Sequence, residues 1–168
     1  MIEIYLNGWE KKPRTKLSSL VVGDVFALAV DRGGYAFGRL VSRVPGGYLA
    51  EVFNIVKNAP IIDASEYVDL KVLIQPMEID CYGLFDRKIE GDWRVIGRDV
   101  GYNYPEPDAY LLRYGAMGDY KYINVLGERV EYLGDPEDVP LMSINGDYHV
   151  QEKIRDALSS GKMIGLVK

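Results

Sequence analysis

Residues that commonly do chemistry are scarce in this sequence. Its 168 residues include one histidine, His149, and one cysteine, Cys81. The sequence places His149 in the first turn of a predicted helix, where the macrodipole disfavours the imidazolium. Cys81 has no partner at Cys-x-x-Cys spacing, which favours a buried, inert thiol. Since a structural zinc site needs about four such ligands, the sequence predicts no metal site. No catalytic or cofactor-binding motif is recognisable, so the sequence also predicts no catalytic residues and no cofactor.

The glycine-rich and acidic segments are predicted to be turns rather than ligand sites. The glycine pairs at 33–34 and 46–47 each join two predicted strands, whereas a phosphate cradle opens a helix. Asp135, Glu137 and Asp138 lack the ordered oxygen ligands of a calcium loop. In the absence of a recognisable catalytic pattern, we favour a binding protein over an enzyme.

The composition narrows the class of partner and the compartment. The net charge is −5 and the pI is about 5.0, which disfavours nucleic-acid binding and suits solubility or a basic protein partner. The 13 tyrosines against 4 phenylalanines are compatible with strands and with interfaces. The chain lacks both an apolar run of about 18 residues and the features of a secretory signal, so no membrane contact is expected. A single cysteine is typical of the reducing cytoplasm.

Most of the elements that would position a site are strands. Apolar runs bounded by turn residues predict strands over 25–30, 35–41 and 48–56, and further strands at 71–75 and 93–96. The strand at 93–96 is expected inside a long loop that covers 86–108. Gly38 predicts a bulge or a close backbone approach, and Pro76 predicts that its strand ends, bulges or lies at an edge.

Further signals predict two helices and a second group of strands. Asp63 and Glu66 have the spacing of a capping box for a short helix over 64–69. Residues 109–114 and 120–125 predict a hairpin, followed by a strand at 130–133 and an acidic loop at 134–138.

The second predicted helix lies near the C-terminus. Asp147 is its predicted cap, Val150, Ile154, Ala157 and Leu158 form one apolar face, and Gly161 is its C′ residue. Residues 163–167 predict a final strand.

Together these elements predict an α+β fold. We expect a mostly antiparallel, strongly curved or barrel-like sheet with a C-terminal helix packed on one side. The length suits a single domain over 1–168, with residues 1–16 as an arm or edge element.

Three short motifs in a fixed order resemble a known family. They are Gly-Asp-Val-Phe-Ala at 23–27, Gly-Tyr-Ala-Phe-Gly-Arg at 34–39 and Trp-Arg-Val-Ile-Gly at 93–97. The trio resembles the immunity protein 26 family of bacterial polymorphic-toxin systems, over about residues 20–115. The resemblance implies a cytoplasmic antitoxin that binds the C-terminal domain of a cognate toxin, and it offers no catalytic residues to transfer.

The motif residues are interpreted as scaffold, and partner contacts are expected in exposed loops. The predicted scaffold residues are Gly23, Asp24, Phe26, Tyr35, Phe37, Gly38, Arg39, Trp93, Val95, Ile96 and Gly97. The candidate toxin contacts are Glu128, Glu131, Asp135, Glu137, Asp138, Tyr102 and Tyr104. The acidic balance suits a basic, nuclease-type toxin. Solubility alone explains the acidic residues equally well. Packing within their loop explains the two tyrosines equally well.

Two other functions stay open at the level of sequence. The Gly-Asp-Val opening at 23–25 also resembles the start of small SH3-like barrel ribonuclease toxins, although an acidic pI speaks against an RNA-cleaving groove. A small-ligand binding domain could use its tyrosines as stacking platforms. The sequence leaves the oligomeric state open, with a monomer favoured.

Overall fold

The computed structural model describes residues 1–4, 15–31, 33–86, 92–160 and 165–167. Ten strands and three α-helices lie in these ranges. The strands are β1 (Ile2–Ile4), β2 (Asp24–Ala29), β3 (Tyr35–Val44), β4 (Gly47–Lys57), β5 (Val72–Ile79), β6 (Trp93–Asp99), β7 (Leu111–Ala116), β8 (Asp119–Asn124), β9 (Arg129–Val130) and β10 (Gly165–Val167). The helices are α1 (Ala64–Val68), α2 (Cys81–Phe85) and α3 (Asp147–Ser159).

Seven strands form the large sheet, in the order β1-β6-β2-β3-β4-β10, with β5 also paired to β4. Every pair is antiparallel except β10 with β4, which is parallel. No ladder in the described ranges joins β1 to β5 or β10, so the sheet is open rather than a closed barrel. The predicted α+β class with a mostly antiparallel sheet is confirmed. The predicted strand at 93–96 is confirmed; it continues to Asp99 as β6 and lies between β1 and β2 in the sheet.

Two predicted irregularities occur in this sheet. A Cβ on Gly38 would clash with both the Glu51 carbonyl oxygen and Cζ of Phe26, so the close approach is confirmed. Strand β5 continues through Pro76, and the β4–β5 ladder shifts register between Ala50 and Val52, opposite that proline. The register shift confirms the bulge predicted from Pro76. Because β5 pairs with β4 alone among the described strands, the predicted edge position is confirmed as well.

Both faces of the large sheet are buried, because successive side chains of a strand point to opposite sides. On one face, Phe26 and Leu28 of β2 pack with residues of α2 and with Val150 and Ile154 of α3. On the other face, Val25 and Ala27 pack with residues around α1, including Ile62 and Tyr67. A C-terminal helix on one side of the sheet is thus confirmed.

The N-terminus of α3 differs from the prediction. Its cap is Gly146, and Asp147 is the first helical residue, so the prediction that Asp147 caps the helix is wrong. The Asp147 carboxylate instead accepts a hydrogen bond from the Trp93 indole at 2.8 Å, which ties α3 to β6. Gly161 lies outside the described residues, as do 163 and 164 of the predicted final strand.

The two short helices have clear local causes. The predicted capping box of α1 is present: Asp63 accepts from the Glu66 amide at 2.9 Å, and the Glu66 carboxylate accepts from the Asp63 amide at 3.1 Å. Helix α2 was not predicted from the sequence. Its signal is Asp80, which accepts a hydrogen bond from the Gly83 amide at 3.0 Å.

Strands β7, β8 and β9 form the small sheet. The small sheet packs near the turn of the β3–β4 hairpin. Its residues Leu112, Ile123 and Val125 contact Val41, Val44 and Leu49 there. The predicted hairpin is present with a tighter turn at Met117 and Gly118, and the predicted strand at 130–133 is shorter, over Arg129–Val130.

Candidate functional site

Arg39, the last residue of the second motif, lies in a partly buried polar group, which we call the Arg39 cluster: Arg39, Glu51, Tyr67, Asp99 and Tyr102. Both Nε (3.0 Å) and Nη2 of Arg39 donate to Oε1 of Glu51. Nη1 of Arg39 donates to the Tyr67 hydroxyl at 2.6 Å, and that hydroxyl donates to Oδ2 of Asp99 at 3.0 Å. The Tyr102 ring lies over the guanidinium, 3.8 Å from its carbon to the ring centroid.

The electrostatics of the Arg39 cluster indicate a structural role rather than a reactive one. Burial raises the pKa of Glu51, and the Arg39 guanidinium holds that rise down. Burial also raises the pKa values of Tyr67 and Tyr102, so both phenols stay neutral at physiological pH. The cation is thus satisfied by groups of the chain itself, between two apolar clusters on one face of the large sheet.

The other motif residues pack on both faces of the large sheet. Gly23 has a φ of +89°, and a Cβ there would lie 2.5 Å from the Asp99 carbonyl oxygen. The buried Asp24 carboxylate accepts from Nε of Arg98 at 2.7 Å. Trp93 stacks on Phe26, with ring centroids 5.1 Å apart. The remaining predicted scaffold residues are buried or half-buried: Tyr35, Phe37, Gly38, Val95, Ile96 and Gly97.

Tyr102 and Tyr104, two of the candidate partner contacts, are packed against this scaffold. Tyr102 covers Arg39, and Tyr104 packs against the apolar cluster beneath the small sheet. Burial raises the pKa of Tyr104 as well. Both side chains are half-buried, so they offer less free surface than the acidic candidates do.

The acidic candidates lie mainly on one segment, residues 131–141, which we call the acidic strap. The Tyr132 ring packs on the Tyr122 ring of β8 at 5.1 Å, and the Glu137 carboxylate accepts two hydrogen bonds from Arg113 of β7, at 2.5 and 3.1 Å. Arg113 and Tyr122 are register partners, so their side chains share one face of the small sheet. The opposite face packs into the protein through Leu112. The acidic strap therefore crosses the outer face.

Further contacts fix the shape of the acidic strap. A 3-10 turn over Pro136–Asp138 is capped by Asp135, whose carboxylate accepts from the Glu137 amide at 2.9 Å. The Arg113 amide donates to the Pro140 carbonyl at 2.9 Å, so the end of the strap lies beside β7. Asp135 and Glu137 thus hold the strap, whereas Glu131 and Asp138 are exposed and have no ion-pair partner in the described part of the chain.

Glu128 belongs to a neighbouring arrangement at the edge of the small sheet. Its carboxylate and that of Asp108 both accept from the side-chain amide of Asn124, at 2.9 and 2.7 Å. Two carboxylates are thereby held close together beside the strap. Residues 102–149 contain nine acidic and three basic side chains, so this part of the chain accounts for the negative net charge.

The residues that hold the acidic strap, Arg113 and Tyr122, were not identified from the sequence. Arg113 and Tyr122 lie in a predicted hairpin, but pairing them with Glu137 and Tyr132 requires knowing which face of the small sheet points outward. Strand alternation, which places Leu112 and Ile123 on the inner face, is the signal that could have found them.

The two groups that the sequence offered for catalysis differ in exposure. Cys81 is buried, which raises its pKa to about 11, and His149 is exposed on α3. Among the described residues, no group of three or more His, Cys, Asp or Glu side chains could hold a metal ion. None of the helices in those ranges is long and apolar enough to cross a membrane.

The fold and the site define an α+β protein whose motif residues are buried or half-buried and whose acidic segment is exposed. The chain belongs to the immunity protein 26 family: the family model matches residues 21–121, more than half of its length. The match covers all three motifs and most of the small sheet, and it ends before the acidic strap. No curated protein and no solved structure matches the chain.

Proposed function

We propose that this protein is an antitoxin that binds the C-terminal domain of a cognate bacterial toxin and neutralises it in the cytoplasm of the producing cell. Membership of the immunity protein 26 family over residues 21–121 carries this proposal. Family membership also suggests a role in binding rather than in catalysis.

The charge distribution supports a basic toxin, such as a nuclease. Segment 131–148 contains five acidic and no basic side chains. A negative surface accelerates encounter with a positive one and disfavours binding to nucleic acid. The acidic strap is held by Arg113, Tyr122 and its own capped turn, so little conformational freedom is lost when a partner binds.

The function is tested by capture and rescue. The tagged chain is expressed in cells that carry its native gene, and proteins retained through a high-salt wash are identified by mass spectrometry. The captured C-terminal domain is then expressed alone and together with the chain. We expect growth arrest by the domain alone, full rescue by the chain, and a submicromolar dissociation constant. Absence of any such domain, in cells shown to make a toxin, would contradict the proposal.

The role of charge is tested on the acidic strap. Asp138→Lys should lower the association rate constant several-fold at low ionic strength and reduce its salt dependence. Glu152→Lys on the exposed side of α3 is the matched control, because it makes the same charge change elsewhere. Equal rates for both variants would mean that general charge, not the strap, drives encounter.

Inhibition kinetics distinguish two modes of neutralisation. If the chain covers the active site of the toxin, it competes with substrate. If it binds an adjacent surface, inhibition persists at saturating substrate. A monomeric antitoxin would bind in a 1:1 ratio, which sedimentation measures directly.

A further inference from the structure

Large apolar side chains are exposed along the same segment that carries the acidic residues. Leu133, Leu141, Ile144 and Tyr148 form what we call the apolar ridge, and their exposed fractions range from 53 to 90%. Single exposed apolar residues are ordinary on protein surfaces, but four within sixteen residues make this segment a candidate contact surface.

The backbone beneath the apolar ridge is anchored at several points. Leu141 forms a bridge with Arg113 of β7. Ile144 precedes Asn145, which is buried and whose side chain donates to the Glu78 carbonyl at 2.9 Å. Tyr148 lies in the first turn of α3. The apolar side chains are therefore presented on a fixed backbone, which lowers the entropy lost on binding.

Charge distinguishes this surface from a second exposed apolar area around α1. That second area contains Ile61, Val68 and Val72, and its segment 61–72 carries three acidic side chains and one basic side chain, Lys71. The apolar ridge instead has Glu131 and Asp138 beside it. Because segment 131–148 carries five acidic side chains and no basic one, it is more complementary to a basic partner than the area around α1 is.

We propose that segment 131–148 is the toxin-docking surface, and that the toxin domain presents an apolar strip bordered by lysine or arginine side chains. This inference rests on the proposed function. Glu131 and Asp138 steer the encounter, and the apolar ridge supplies the area that is removed from water. Tyr102 and Tyr104 lie outside this surface.

Site-specific photo-crosslinking tests the inference even while the toxin is unidentified. The cross-linker p-benzoylphenylalanine is placed at Leu133, Leu141 or Tyr148 in the full chain, in cells that carry its native gene. Matched controls carry it at Met117, on the β7–β8 turn, and at Val68 of α1, which are 90% and 76% exposed. We expect one adduct, with the same basic polypeptide, from the three ridge positions and none from the controls.

The other outcomes separate this inference from the proposed function. An adduct with a toxin from Val68 alone would move the docking surface to α1 and leave the antitoxin function standing. The same holds if tagged wild-type chain captures a toxin but no ridge position cross-links to it. Adducts with a second copy of the chain would assign the ridge to self-association. If neither capture nor cross-linking finds a toxin, both proposals fail.

Affinity provides the second readout once the domain is in hand. Leu133→Ala should raise the dissociation rate constant about tenfold or more, since a buried leucine contact is lost. Met117→Ala removes an equally exposed apolar side chain and should leave the rate unchanged. Equal dissociation rates for both variants would overturn the inference. Both positions are on the surface, so neither variant is expected to unfold.

Discussion

Replacing Arg39 alone should destabilise the fold far more than replacing Arg39 and Glu51 together. Glu51 is 2% exposed, and its Oε1 accepts both hydrogen bonds that it receives from Arg39. In Arg39→Met the carboxylate would keep its desolvation and lose the cation. The double variant Arg39→Met/Glu51→Leu removes both charges and keeps comparable volume.

The size of the effect follows from the burial of the pair. Breaking a buried ion pair by removing one partner costs roughly 3–5 kcal/mol, whereas replacing both partners by apolar residues is often neutral. For a protein of this size, about 2–4 °C of melting temperature corresponds to 1 kcal/mol. We therefore expect Arg39→Met to lower the melting temperature by roughly 6–20 °C, and the double variant to lie within about 4 °C of wild type.

The pH dependence provides an independent check. When a carboxyl has a higher pKa in the folded than in the unfolded state, the folded protein loses stability as pH rises through the folded pKa. Burial already raises the pKa of Glu51, and removing the Arg39 guanidinium removes the interaction that opposes the rise. The destabilisation of Arg39→Met should therefore be larger at pH 8 than at pH 5.

Urea and thermal denaturation of the wild type, both single variants and the double variant form the required cycle. A double variant as unstable as Arg39→Met would show that the guanidinium stabilises the fold through Tyr67 and Tyr102 rather than through Glu51. A loss in Arg39→Met that does not change between pH 5 and pH 8 would refute the assigned role of the carboxylate.

Three further predictions concern the scaffold. Gly38→Ala should cost roughly 1–3 kcal/mol in urea denaturation, since its Cβ meets backbone and a buried ring, whereas Gly146→Ala meets nothing within 4 Å and should cost less than about 1 kcal/mol. Asp147→Ala leaves the Trp93 indole N–H without its acceptor and should cost about 1–3 kcal/mol, with a shift in tryptophan emission; equal stability to wild type would contradict the hydrogen bond. Cys81, whose burial raises its pKa to about 11, should react with a thiol reagent at pH 8 only when the protein is unfolded; rapid labelling of the native protein would show an accessible thiolate.

Local sequence patterns were sufficient for many elements of the fold. The strands around 25–30, 35–41 and 48–56 were predicted because each is an apolar run bounded by turn residues. The capping box of α1 was predicted because its two residues lie three positions apart. The irregularity at Pro76 was predicted because proline lacks the backbone N–H that a ladder needs. Helix α2 was missed because its five residues are too few to show a helical period.

Contacts between distant residues were beyond those patterns. Asp147 was a plausible cap by type and position, but the fold brings it to Trp93, 54 residues earlier. The Arg39 cluster is similar, since Tyr67 and Asp99 approach Arg39 only when β3, α1 and β6 are packed together.

The sequence by itself determined the α+β class, the acidic balance and the family motifs, because composition, short-range periodicity and short motifs are local properties of the chain. Only the tertiary structure decided how those residues are presented. It placed Tyr102 over the half-buried Arg39 guanidinium and carried residues 131–141 across the outer face of the small sheet. The physical reason is that exposure and charge pairing depend on which elements pack together, and packing joins residues far apart in the chain.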